Sequence, residues 1–196
     1  MNRQEIAGLY YIVLIENTPS ILRHGILSHN RAARIGHDSV AMEEIQARRQ
    51  DKMIPGARAL HDYANLYFDA HNPMLSRVRH RNGEICVLCV DAGVLDIPGV
   101  IIADCNASSD YVHFRPAAKG LARLNRDRIF SRYWTHPEDP FDEMRHKSEK
   151  CAEVLVPDCV DSCYIRGVDV ANAAALARVR ALGVGLETRI KSDLFF

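Results

Sequence analysis

Glu153 is the residue whose type fits its surroundings least. It interrupts the apolar run Cys151-Ala152-Glu153-Val154-Leu155-Val156. In a strand, side chains alternate between faces, so Glu153 shares a face with Cys151 and Leu155. A carboxylate on such a face is costly unless it is paired or the face opens into a cleft. Positions that break their own local pattern are functional more often than average ones. On an edge strand with a wet outer face, the same glutamate would be harmless, and the residues alone leave both possibilities open.

Other chemistry-bearing groups are less pointed. Arg77-Val78-Arg79-His80-Arg81 has the make-up of a phosphate-contacting patch or of a solvated turn. Tyr63, Tyr67, Phe68 and Trp134 could stack nucleobases or simply fill a core. Cys86-x-x-Cys89 lies within Ile85–Val90, a run that reads as a buried strand, so its two sulfurs point to opposite faces and do not form a zinc knuckle. Metalloprotease, nucleophile-elbow, P-loop and dinucleotide fingerprints are all absent from the sequence.

These residues need a scaffold. The chain has 196 residues, 47% of them hydrophobic and 26% charged, enough for one domain with an ordinary core. Lys+Arg equals Asp+Glu at 25 each, which excludes a binder working through bulk cationic excess. The cations are 20 Arg against 5 Lys and flank a stretch, 82–112, that has none. Any anion-binding surface must therefore be local. The apolar run 6–15 is too short to span a bilayer and precedes no small-residue cleavage site, so a soluble cytoplasmic protein with reduced thiols is expected.

Strands are expected at 8–15, 66–68, 85–91, 100–105, 111–115, 151–157 and 163–170. A helix should start at Thr18-Pro19 and stop at Gly25, with Ile26-Leu27 opening a new element. Further helices are expected over 38–50, with Val40, Met42 and Ile45 inward, over 118–129, and over 171–182, closed by Gly183. Residues 131–150 show little periodicity and read as a long functional loop or as disorder. The result is a mixed α+β domain covering 1–196.

The chain carries LYYIVLIENTPSILRHGIL at the N-terminus, EIQARR at 44–49, LHDYANLYF and NPML within 60–75, and KCAEVLVP at 150–157, followed by YIRGVDV. Together these blocks resemble the DarT family of DNA-base ADP-ribosyltransferase toxins. The resemblance implies an ADP-ribosyltransferase fold, with two small β-sheets around an NAD-binding cleft and flanking helices. It implies transfer of ADP-ribose from NAD to a base of single-stranded DNA, thymidine favoured and guanine possible, with nicotinamide released. NAD would be a co-substrate, no metal would be needed, and a macrodomain-type antitoxin would be a partner.

Residue by residue, the resemblance puts Glu153 on the family's catalytic glutamate and Arg48 beside it in catalysis. Tyr11, Val13, Asn17, Arg48, Arg49, Tyr67 and Met74 would bind NAD. Trp134, His136, Arg145 and Lys147 would contact the acceptor from a substrate-selecting segment, 131–150. One departure stands out: where the family's first strand carries L-Y-H-x-T, Tyr11 and Val13 replace the usual His and Thr. That leaves two alternatives within view: another acceptor, such as RNA or protein, and a non-catalytic nucleic-acid-binding module with a decayed NAD site.

Overall fold

The computed structural model describes residues 1–36, 38–40 and 43–196. In chain order the elements are β1 (Leu9–Leu14), α1 (Thr18–His24), β2 (Ile26–Leu27), α2 (His29–Ala32), α3 (Glu43–Gln50), β3 (Tyr63–Tyr67), α4 (Pro73–Arg77), β4 (Ile85–Val90), β5 (Ile101–Ala103), β6 (Phe114–Pro116), α5 (Ala117–Leu121), α6 (Arg126–Ile129), α7 (Pro140–Glu149), β7 (Glu153–Pro157), β8 (Cys159–Val160), β9 (Ile165–Val170), α8 (Ala173–Ala181) and β10 (Thr188–Ile190).

Eight strands form one sheet in the order β10-β9-β4-β1-β3-β7-β5-β6, and β2 pairs with β8 in a separate two-stranded ribbon. The large sheet is two four-stranded halves. β1 is registered along its whole length with β4, whereas it meets β3 at one pair, Tyr10 opposite Tyr67. Beyond that pair the halves diverge, and the gap between them is a cleft. The α+β class expected from the sequence is therefore present, with its two small sheets joined at one bridge.

Packing follows from the strand patterns. Leu9 and Val13 of β1 join Cys86, Leu88, Val168 and Val170 in the main core, closed by Ala175 and Val179 of α8. On the other face, Ile12 and Leu14 pack with Ile85 and Val87 against Leu75 and Val78. Leu60, Tyr63, Ala103, Ala107 and Leu155 form a third, smaller cluster under β5 and β7. Cys86 and Cys89 do face opposite ways: Cys86 contacts Thr18 in the core, and Cys89 contacts Asp169. All six cysteines are free thiols.

Gly25 ends α1 at φ 81°, and a Cβ there would collide with the Val160 carbonyl of the β2–β8 ribbon. This close approach ties the end of α1 to the strand that follows β7. The two edges of the large sheet are short. β6 ends on Pro116, and β10 carries Arg189 at its centre.

Four expectations are corrected. The helix drawn over 38–50 is described over Glu43–Gln50; Val40 is outside that span, and Met42 is outside the described residues. The single helix at 118–129 is two short ones, α5 and α6. The strand at 111–115 is Phe114–Pro116. The segment 131–150 is only partly irregular, since α7 occupies 140–149, capped by the Asp139 side chain on the Asp142 amide with Pro140 in the first turn.

Candidate active site

β7 is an interior strand, so the wet-edge possibility for Glu153 fails. Glu153 sits opposite Tyr67 of β3 on one side and Ala103 of β5 on the other. Its side chain is 0% exposed. The register places it at the end of β7 nearest the bridge between the half-sheets, beside the cleft floor.

The carboxylate is fully provided for. Arg49, from the last turn of α3, donates Nη1 to Oε1 at 3.0 Å and Nη2 to Oε2 at 3.1 Å. The Ala107 amide donates to Oε1 at 2.9 Å. Two parallel N–H···O bonds are the strong, orienting form of an Arg–carboxylate contact. Burial works against the Arg49 charge, but Glu153 opposite more than restores it, and the guanidinium titrates above its ordinary range. Burial, followed by the Glu153 charge, also pushes the Tyr67 phenol well above its usual value. The centre is thus a buried ion pair ringed by neutral polar groups.

Arg49 is also a wall of the cleft, a cavity of about 490 Å³. That volume lies within the range of small-molecule and cofactor sites. Tyr11 and Val13 of β1 line one side, and Tyr63, Asn65 and Tyr67 of β3 the other. Met74 and Lys147 stand at one margin and Asn17 at another. The Asn17 side chain donates to the Asp38 carbonyl at 2.6 Å, bracing the segment before α3.

The structure gathers nine of the sequence-selected residues around this cleft: Tyr11, Val13, Asn17, Arg49, Tyr63, Tyr67, Met74, Arg77 and Lys147 line it, with Glu153 behind Arg49. It does not bring Arg48, Trp134, His136 or Arg145 to the cleft wall. Arg48 is turned outward, 52% exposed and 3.6 Å from Asp110, because adjacent helix positions differ by about 100° in direction. Trp134 packs edge-on to Phe196 and near His71. Arg145 bonds to Asp142 and the His136 ring to His146.

Sequence reasoning missed other cleft groups. His61 is buried, with Nε2 unpartnered, and its ring is stacked on His29 at 4.0 Å. Burial, then His29 and Arg49, pulls its imidazole down to about 4. Asn65 could have been found from the alternation Tyr63, Asn65, Tyr67, which puts a polar group between two aromatics on one face. The Ala107 amide carries no sequence signal at all. Among the described residues, no cluster could hold a metal ion, and no helix is long and apolar enough to cross a membrane.

A divided sheet, a cleft at the division and a buried strand-borne glutamate define the ADP-ribosyltransferase fold. Thermosipho africanus DarTG in complex with ADP-ribose is similar at TM-score 0.82 and 27% identity, over 97% of this chain and 51% of that one. Thermus sp. 2.9 DarT in complex with ADP-ribosylated ssDNA has the same fold, with TM-score 0.82 over 100% of this chain and 99% of that one, at 23% identity. The family model described as ssDNA thymidine ADP-ribosyltransferase, DarT, matches residues 10–196, and the chain belongs to that family.

Two curated relatives agree. A DNA ADP-ribosyl transferase of Thermus sp. (strain 2.9) is 30% identical over 164 residues, 78% of this chain and 75% of that protein. A DNA ADP-ribosyl transferase–DNA ADP-ribosyl glycohydrolase fusion protein of Thermosipho africanus (strain H17ap60334) is 32% identical over 171 residues, 84% of this chain. This chain spans 42% of that fusion protein's length.

Proposed function

We propose that the protein transfers ADP-ribose from NAD to a base of single-stranded DNA, with thymidine as the acceptor, and releases nicotinamide. The observation that carries this reading is the Glu153 carboxylate, fully buried and bridged by two hydrogen bonds to an arginine that itself faces an open cleft. A resting ion pair at the rim of a cavity can exchange one partner for a ligand hydroxyl without exposing a bare charge.

In this scheme the bond between the ribose C1′ and the nicotinamide nitrogen breaks, and nicotinamide leaves with the electron pair. The ribose becomes oxocarbenium-like, as in glycoside cleavage, and Glu153 stabilises the positive charge through the adjacent ribose hydroxyl. A ring nitrogen of the base then bonds to C1′, and Glu153 accepts the proton that nitrogen loses. Arg49, rather than Arg48, aligns the carboxylate and faces the diphosphate, because only Arg49 reaches both Glu153 and the cleft. Tyr11 and Tyr67 flank the nicotinamide end as planar neutral walls. Lys147, at the margin, meets the acceptor strand. The fusion of a related transferase to a glycohydrolase supports a macrodomain-type partner that removes the modification.

The test is mass spectrometry of mixed-sequence single-stranded oligonucleotides incubated with NAD and either the wild-type chain or Glu153→Gln. One ADP-ribose added to thymidine by the wild type alone is the expected result. Adducts only on RNA or protein, or equal adducts with Glu153→Gln, would overturn it.

A further inference from the structure

His136 and His146 face each other across the segment that precedes β7. The two rings are tilted by 37°, and His136 Nε2 lies 2.7 Å from His146 Nδ1. His146 is buried, and its Nε2 lies 3.0 Å from the Arg128 carbonyl and 2.9 Å from the Ser131 hydroxyl. That hydroxyl itself donates to the Arg128 carbonyl at 2.9 Å. A carbonyl can only accept, so His146 Nε2 carries the hydrogen. In the neutral ring Nδ1 is then a bare acceptor, and His136 Nε2–H must be its donor.

The protonation arithmetic of this pair is strict. A first added proton can sit on the outer nitrogen of His136 and leave the shared bond intact. Asp142 Oδ2 lies 3.7 Å from His136 Nε2. A second proton has only His146 Nδ1 to go to, and two N–H groups would then oppose each other. The other charged groups around the pair are already committed. Arg128 on α6 holds Asp142 at 2.6 and 2.8 Å and reaches Glu149, and Arg145 also holds Asp142. Glu143 accepts the His136 amide at 3.0 Å. Lys150 bonds the Ile129 carbonyl and Asp69.

We propose that His136 and His146 are a positioning pair that tolerates one proton between them and pins residues 131–136 to α7, the helix that brings Lys147 to the cleft. This rests on the transferase reading above. It makes His136 a residue that acts through His146 rather than one that touches substrate. α7 carries Lys147 to the cleft, whereas Trp134 packs on Phe196 and near His71, so Lys147 is the acceptor-side group that depends on this contact. Double protonation would break this one contact, while the bonds from the His136 amide to Glu143 and from Arg132 to the Asp193 carbonyl, and the Arg49–Glu153 centre, would remain.

Two-bond ¹H–¹⁵N spectra of the imidazoles in the full chain, followed between about pH 5 and 8, test the pair without any activity. Neutral His146 should be the Nε2–H tautomer, and His136 should take the first proton while His146 stays neutral. An Nδ1–H tautomer at His146, or two rings that titrate independently, would overturn the proposal. Steady-state transfer to an oligonucleotide gives the functional arm. His146→Gln keeps a donor and an acceptor at the two positions but cannot titrate, so it should hold the strand KM near wild type and abolish its acid-side rise. His146→Leu should raise the strand KM by about tenfold, the order expected for lost buried hydrogen bonds, with KM for NAD little changed. A Gln variant that keeps the acid-side rise would sink the proposal, as would a Leu variant with wild-type strand KM. Should no strand be modified by any form of the protein, the transferase reading fails and the tautomer spectra still decide the pair.

Discussion

Two carboxylates in the large sheet are fully buried, and they are held in opposite ways. Asp169, on β9, is clamped by Arg189 at 3.0 Å and Lys191 at 3.1 Å, with the Cys89 thiol donating at 3.2 Å. Its cationic partners are 42% and 41% exposed and reach inward from β10 and just beyond it. Glu153, on β7, is held by an arginine that is only 8% exposed and by a main-chain amide. The first arrangement staples an edge strand, with its charges anchored in water. The second keeps a carboxylate and its cation in a low-dielectric place at the wall of a cavity, where pairing by itself stabilises little. Burial of a charged group is thus no guide to function by itself, and neither is a neighbouring cavity, since Asp169 and Lys191 line one of about 280 Å³; what differs is that the cations on Asp169 reach water and Arg49 does not.

The contrast can be broken by experiment. Glu153→Gln should lower ADP-ribose transfer by at least about 100-fold, the order of general acid–base effects, and Asp169→Asn should leave transfer intact below its melting temperature. Equal losses in an oligonucleotide mass assay would erase the distinction. Arg49→Ala leaves Glu153 buried without its cation and should cost about 3–5 kcal/mol in a urea titration. Asp169→Asn should cost less, about 1–3 kcal/mol, since its cationic partners fall back into water. Arg48→Ala removes an exposed pair and should stay within about 1 kcal/mol of wild type; a loss comparable to that of Arg49→Ala would mean the two positions have been confused.

The smallest effect concerns pH. His61 is pulled from 6.5 down to about 4, chiefly by burial. Between those values the unfolded chain binds more protons than the folded one. The His61 contribution is therefore fully present above pH 6.5 and is lost as pH falls towards 4. His61→Gln should flatten that part of the stability–pH curve relative to wild type, and parallel curves for the two proteins would contradict the assignment.

What the sequence disclosed follows from the range of the interactions involved. Glu153 was legible because strand alternation is local and a carboxylate in it stands out. The start of α1 and its stop at Gly25 were legible because capping chemistry is local too. The choice between Arg48 and Arg49 was not: both lie in one helical turn, and only the helix's orientation against β7 separates them. α7 was hidden by a polar sequence with weak periodicity, although Asp139-Pro140 is a start signal that could have been read. The Ala107 amide and the His136–His146 contact depend on long-range placement. No residue type announces either of them.

The short ends of the large sheet bear on how the molecule behaves in a crowd. An open sheet invites a neighbouring chain to add a strand along its unpaired amides and carbonyls. Here one border is three residues long and closes on Pro116, which has no amide to offer, and the other is three residues long with Arg189 at its centre. Molecules that meet border to border therefore find few hydrogen bonds to share. Self-association through the sheet is discouraged at its two borders, which lie at the far ends of the sheet from the cleft between β1 and β3.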